Sequence, residues 1–180
     1  RRWSPRAFTG EAIAVETLMG FFEAARWSPS ASNVQPWRFV FARRDGAGWQ
    51  PMLDALVPFN QDWARHASAL VAVLSRTTSV APGKTEATPV PTHAFDTGAA
   101  WMSLALQVEM AGWRAHGMGG FDHAKLRSGL GIPEDHALHA VVAIGRQADK
   151  SMLSAALQER EVPNQRLPLS ATVAEGRFTL

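Results

Sequence analysis

Apolar residues recur every three or four positions before the first strongly polar stretch. Leu18, Phe21, Phe22 and Ala25 follow this spacing and predict a helix over residues 14–27. "WRFVFA" then reads as a strand over 37–42, and "RDGAG" as a turn by its glycines. A short helix is expected over 49–56, and "PFNQDW" is a loop or the start of a helix. The apolar runs 69–75 and 138–145 predict buried strands. Between them, residues 76–92 carry three prolines and several threonines and predict a mobile loop. The longest helix is expected over 93–115, with Phe95, Ala99, Met102, Leu106 and Met110 on one face. Gly98, Ala99 and Ala100 would let another helix approach closely. "HGMGGF" should break that helix, and shorter helices should follow over 121–130 and 152–158. The Pro-containing tail beyond them would wrap its own domain or a partner chain. Helices alternating with three or four strands give an α/β or α+β fold.

Composition narrows the function classes. The 180 residues suit one domain, with 46% hydrophobic and 19% charged residues. Eighteen basic against 16 acidic side chains, without a long basic run, point away from nucleic acid. Cysteine is absent, which excludes a disulfide framework and a thiolate zinc site and fits a cytoplasmic location. No apolar run has the length of a membrane span. Seven tryptophans and nine phenylalanines, with no tyrosine, can build a core or line a pocket for a flat ligand.

Candidate chemistry is scattered. "RRWSPRAF" sets Arg1, Arg2 and Arg6 around the Ser4 hydroxyl, a donor set suited to phosphate, although a frayed basic terminus would look the same. "SPSASNVQPW" offers small residues beside Asn33 and Gln35, which present donor and acceptor together; a solvated loop is the plainer reading. Asn60 could cap a helix. Gly117, Gly119 and Gly120 around Met118 could expose amides to a ligand or only reverse the chain. Arg166 and Arg177 are further anion candidates. The six histidines lack paired carboxylates at ligand spacing, and no nucleophile elbow is present. With no acid, base or nucleophile of its own in view, an enzyme built this way would rely on a cofactor.

In order along the chain, these pieces resemble the FMN-dependent nitroreductase family. "RRWSPRAF" is similar to its opening R-x-S-x-R/K-x-F. "SPSASNVQPWRF" resembles its S-P-S-x-x-N-x-Q-P-W loop, the most specific of the matches. "FNQDWARHASALVAVLS", "HGMGGFD" with "LGIPEDHALHAVVAIG", and "QRLPLSATV" follow in family order.

The resemblance implies a single α+β domain over residues 1–180, with a central mixed sheet flanked by helices and a C-terminal tail that reaches the partner. It implies a homodimer with FMN at the subunit interface. Arg2, Ser4, Arg6 and Arg166 would hold the phosphate and ribityl end. Pro29, Ser30, Ser32 and Asn33 would approach the flavin from the partner chain, with Gln35 nearby. Asn60 would bond the pyrimidine edge, and Met118, Gly119 and Gly120 would face the ring. The implied activity is ping-pong transfer from NADH or NADPH to a nitroaromatic or quinone-type small molecule. A specialised flavin reductase or dehydrogenase acting on an enone or biosynthetic intermediate, or a non-catalytic flavin-binding protein, would share these motifs. Two positions depart from the pattern of some members: Trp63 stands where they have Lys, and Gly119 where they have Glu.

Overall fold

The structure, a computed structural model, describes residues 2–178; Arg1 of the opening motif lies outside them. Four strands form one sheet in the order β1 (Trp37–Arg43), β2 (Ala69–Arg76), β6 (His136–Gly145) and β5 (Arg114–Met118). A separate short hairpin pairs β3 (Thr78–Val80) with β4 (Ala87–Pro89). All pairings in both sheets are antiparallel, so the described residues contain no parallel pair of the kind a mixed sheet requires.

The central strands carry the core on both faces. Side chains alternate across a strand. Leu70, Ala72 and Leu74 therefore pack on one side with Met52, Trp63, Leu126 and Phe8. Val71 and Val73 pack on the other with Leu18, Phe21, Leu104 and Val108. Helices α2 (Trp49–Ala55), α3 (Pro58–Ala64) and α5 (His123–Leu130) supply the first layer, and α1 (Val15–Arg26) and α4 (His93–Met110) the second. Helix α6 (Ala155–Gln158) introduces the tail. The α+β class and the sheet between helical layers are as expected.

Three elements differ from the sequence reading. The long helix stops at Met110, because Gly112 adopts φ +76° and the Trp113 N–H returns to the Val108 carbonyl at 3.0 Å. Its expected last turn and the start of the glycine segment instead contribute to β5, whose pairing with β6 overrides weak local strand propensity. The Pro-rich stretch over 76–92 contains the β3–β4 hairpin. Pro58 occupies the first turn of α3, and Asn60 sits inside that helix; Val57, not Asn60, precedes it.

Helix α4 buries Ala100, Leu104, Ala105 and Val108. Its face bearing Phe95, Met102, Leu106 and Met110 turns outward, with Phe95 and Met110 each 82% exposed. On the tail, Leu167, Leu169, Val173 and Phe178 are exposed as well. No helix among the described residues is long and apolar enough to cross a membrane.

Candidate functional site

The amino-terminal segment lies against the end of β6. Ala148 N–H donates to the Ala7 carbonyl at 2.9 Å, and Thr9 N–H to the Arg146 carbonyl at 3.0 Å. Phe8 is buried there, and a Cβ at Gly145 would come within 2.7 Å of its ring, so glycine is needed for this approach. Glu161, at the start of the tail, closes the arrangement. Its Oε1 accepts from the main-chain N–H of Arg6 at 2.7 Å and of Ala7 at 2.9 Å, and its Oε2 lies 3.7 Å from Arg6 Nη1.

This staple holds two distant segments on either side of a cavity of about 340 Å³. Trp3, Ser4 and Arg6 line it from the amino-terminal side, Arg160 and Arg166 from the tail, and His116 from β5. A neighbouring cavity shares Trp3 and Arg166 and adds Arg2 and Met102, which brings it to the exposed face of α4. Four predicted residues, Arg2, Ser4, Arg6 and Arg166, thus meet although the chain between them runs almost its whole length. Arg2 Nη1 donates to Ser4 Oγ at 3.2 Å. Burial lowers the Arg6 pKa from its ordinary value, Glu161 opposes that, and Arg160 adds to it. Arg6 Nε is sealed from solvent without a hydrogen-bond partner, so a ligand in the cavity would meet Arg6 only through the remainder of its side chain, which is 17% exposed.

Helix α3 backs the cavity. Trp63 is 1% exposed, its ring lies 4.6 Å from that of His116, and the Arg160 guanidinium lies 5.6 Å over the Phe59 ring. His116 Nδ1 bonds the Pro5 carbonyl at 2.9 Å. Burial, the largest cause, lowers the His116 pKa. Asn60 joins the glycine turn, its Nδ2 donating to the Gly120 carbonyl at 3.1 Å. Met118 is 3% exposed and its side chain belongs to the core, so that residue can meet a ligand only through its backbone. Gly119 is exposed, and Gly120 is half-buried against Asn60 and Val57.

The serine-rich loop does not line either cavity. Pro29, Ser32, Asn33 and Gln35 are exposed and Ser30 is half-buried. Three non-glycine residues take left-handed backbone angles: Ser32 at φ 50°, Asn33 at 54° and Gln35 at 51°. Each costs roughly 1 kcal/mol. Specific bonds hold them there. Gln35 N–H donates to Ser30 Oγ at 3.0 Å, and Ala31 N–H donates to the buried Asp96 carboxylate at 3.2 Å. The same Asp96 oxygen accepts from Thr92 Oγ1 at 2.8 Å.

Sequence reasoning missed His116, Arg160, Glu161 and Asp96. Asp96 left a signal, a carboxylate in the first turn of a helix rich in alanine. The other three acquire meaning only when the tail folds back. No group of three or more metal-ligating side chains occurs among the described residues.

Comparison with known proteins places this architecture. The Nitroreductase family model matches residues 1–58 and 47–146. The chain belongs to the nitroreductase family. A crystal structure described as an oxidoreductase containing FMN is 48% identical to it, with a TM-score of 0.95 over 99% of this chain and 89% of that one. An NADH dehydrogenase of Thermus thermophilus is 28% identical over a 200-residue alignment covering 96% of this chain and 91% of the relative. A variant of an FMN- and NADPH-dependent nitroreductase from Sphigopyxis sp. strain HMH shares the fold, with 21% identity and a TM-score of 0.76 over 99% of this chain and 96% of that one.

Proposed function

We propose that this nitroreductase-family protein is an FMN-dependent NAD(P)H oxidoreductase that reduces nitroaromatic or quinone-type acceptors. It acts as a homodimer, with each flavin between two chains. The observation that carries the reading is the cavity where Ser4, Arg6, Arg160 and Arg166 converge. The donor set fits a phosphomonoester, which carries about −1.5 to −2 charges at neutral pH. The likeness to an oxidoreductase containing FMN at 48% identity supports the same cofactor.

Arg2, Ser4, Arg6 and Arg166 would hold the phosphate and ribityl end, joined by Arg160. Because Asn60 Nδ2 is committed to Gly120, its Oδ1 is left to accept from the pyrimidine edge. The backbone of Met118, Gly119 and Gly120 would face the ring. Pro29, Ser30, Ser32 and Asn33 of a second chain would approach it, with Gln35 nearby. When bound, FMN supplies a ring that takes hydride from NADH or NADPH and passes the electrons to the acceptor. Glu161 compensates part of the Arg6 charge, so Arg6 binds and orients more than it tunes potential.

The exposed apolar face of α4 and the exposed apolar residues of the tail support the dimer, since leaving so many large apolar side chains in water is unfavourable. Anaerobic mixing of the purified protein with NADH or NADPH should bleach its yellow colour, and a nitroaromatic or quinone should restore it. A protein that binds no flavin, or whose flavin neither nicotinamide reduces, rejects the proposal.

A further inference from the structure

The cavity is rich in donors. Arg6, Arg160 and Arg166 carry only N–H groups, and the Ser4 hydroxyl already accepts from Arg2. The exposed Asn164 amide also offers an acceptor, but no hydrogen bond among the described residues fixes its side chain; His116 is held in place. The Pro5 carbonyl can only accept, so His116 Nδ1 must carry the hydrogen of that 2.9 Å bond. The ring is further fixed by a tilted contact with the buried Trp63, at 4.6 Å between centroids and 38° between planes. Nε2 has no hydrogen-bond partner among the described residues and is not sealed from solvent. With Nδ1 protonated, the neutral ring presents Nε2 as an acceptor. Burial favours that neutral ring.

An acceptor set among guanidinium groups has nothing to offer a bare phosphate or sulfate. It suits an anion whose attached chain carries hydroxyl groups. We propose that His116 is a specificity-determining residue of this site, whose Nε2 accepts a hydrogen bond from a hydroxyl of the ligand's polyol chain. The site then selects a polyol phosphate over a simple phosphate ester. The inference rests on the FMN reading above and adds to its donors an acceptor for a ribityl hydroxyl.

The test compares two ligands on the flavin-free protein: FMN, and a flavin analogue whose side chain is a plain pentyl phosphate without hydroxyls. The wild type should bind FMN more tightly than the analogue by at least about tenfold, the effect of the His116 hydrogen bond alone. His116→Phe keeps an aromatic ring against Trp63 and should lose about tenfold of that preference, while inorganic phosphate competes equally well against both proteins. His116→Gln restores an acceptor and should recover part of the preference. Ring ¹⁵N spectra of histidine-labelled wild type need no variant to fold. The Nε2 resonance should shift when FMN binds and stay in place with inorganic phosphate. A His116→Phe protein with the full wild-type preference, or an Nε2 resonance unmoved by FMN, overturns the role of His116 and leaves the FMN reading intact. Failure of the wild type to bind FMN at all overturns that reading instead.

Discussion

Glu161 and Arg6 meet across 155 positions of sequence, the carboxylate accepting the Arg6 main-chain N–H at 2.7 Å while facing its guanidinium at 3.7 Å. One side chain therefore both pins the amino-terminal segment and balances a cation in the cavity wall. The Glu161 side chain is 2% exposed and that of Arg6 is 17% exposed, so the pair is largely shielded from solvent.

Removing that carboxylate should be expensive. Glu161→Ala leaves two main-chain donors and a buried guanidinium without their partner. It should destabilise the fold by about 2–4 kcal/mol and weaken FMN retention with it. Urea denaturation measures the first and ultrafiltration of the yellow protein the second. A loss under 1 kcal/mol would show that the staple is dispensable.

Arg166 should behave oppositely, because it is exposed and its bonds within the chain are short-range contacts to the Asn164 and Gln165 carbonyls. Arg166→Ala should leave the melting temperature nearly unchanged and weaken FMN binding by roughly 1.5–3 kcal/mol, the range for a hydrogen bond to a charged group. Riboflavin, which lacks the phosphate, should bind wild type and variant equally. Equal FMN affinity in both proteins would remove Arg166 from the phosphate site.

The outward face of α4 gives a third expectation. Met102 and Leu106 are 45% and 46% exposed and lie one turn apart. Met102→Asp with Leu106→Asp should yield a monomer by light scattering, with flavin lost on gel filtration. A dimer that persists would move the interface elsewhere.

Two histidines set the acid limit. Burial lowers the pKa of His116, and burial followed by the charge of His93 lowers that of His139. Ser75 Oγ lies between the His93 and His139 rings at 2.7 and 2.6 Å. A histidine whose folded pKa is depressed binds its proton more readily when unfolded. Its contribution to instability is thus absent well above the ordinary pKa of about 6.5 and grows as pH falls below it. The melting temperature should drop between pH 7.5 and pH 5.5, and His139→Gln should flatten the slope over that interval. An unchanged slope would assign the acid sensitivity to other groups.

Legibility in the sequence followed the range of the interactions. Strand β2 was readable because every residue from Ala69 to Ser75 is buried, and a continuous apolar run says so locally. The ends of α5 were close to readable: Asp122 accepts from the Lys125 N–H, and Gly131 closes the helix at φ +64°. Strand β5 was hidden because "RAHGM" lacks β-branched residues and depends on β6 for its shape. The face of α4 named from spacing is apolar and points outward, while a second apolar side packs on the sheet; periodicity alone does not say which side the sheet takes. The arginine motif and Arg166 were visible as motifs, whereas Glu161 and His116 needed the folded tail to become meaningful.

The twisted backbone at Ser32, Asn33 and Gln35 has a consequence for what can be changed there. Glycine would reach the same angles with less effort at all three positions. A segment that merely joined α1 to β1 could therefore be eased by such exchanges. Keeping hydroxyl and amide groups on a reluctant main chain makes sense if those groups, rather than the turn itself, are what the segment delivers. Glycine substitution at these sites should then give a sturdier protein that is poorer at its task.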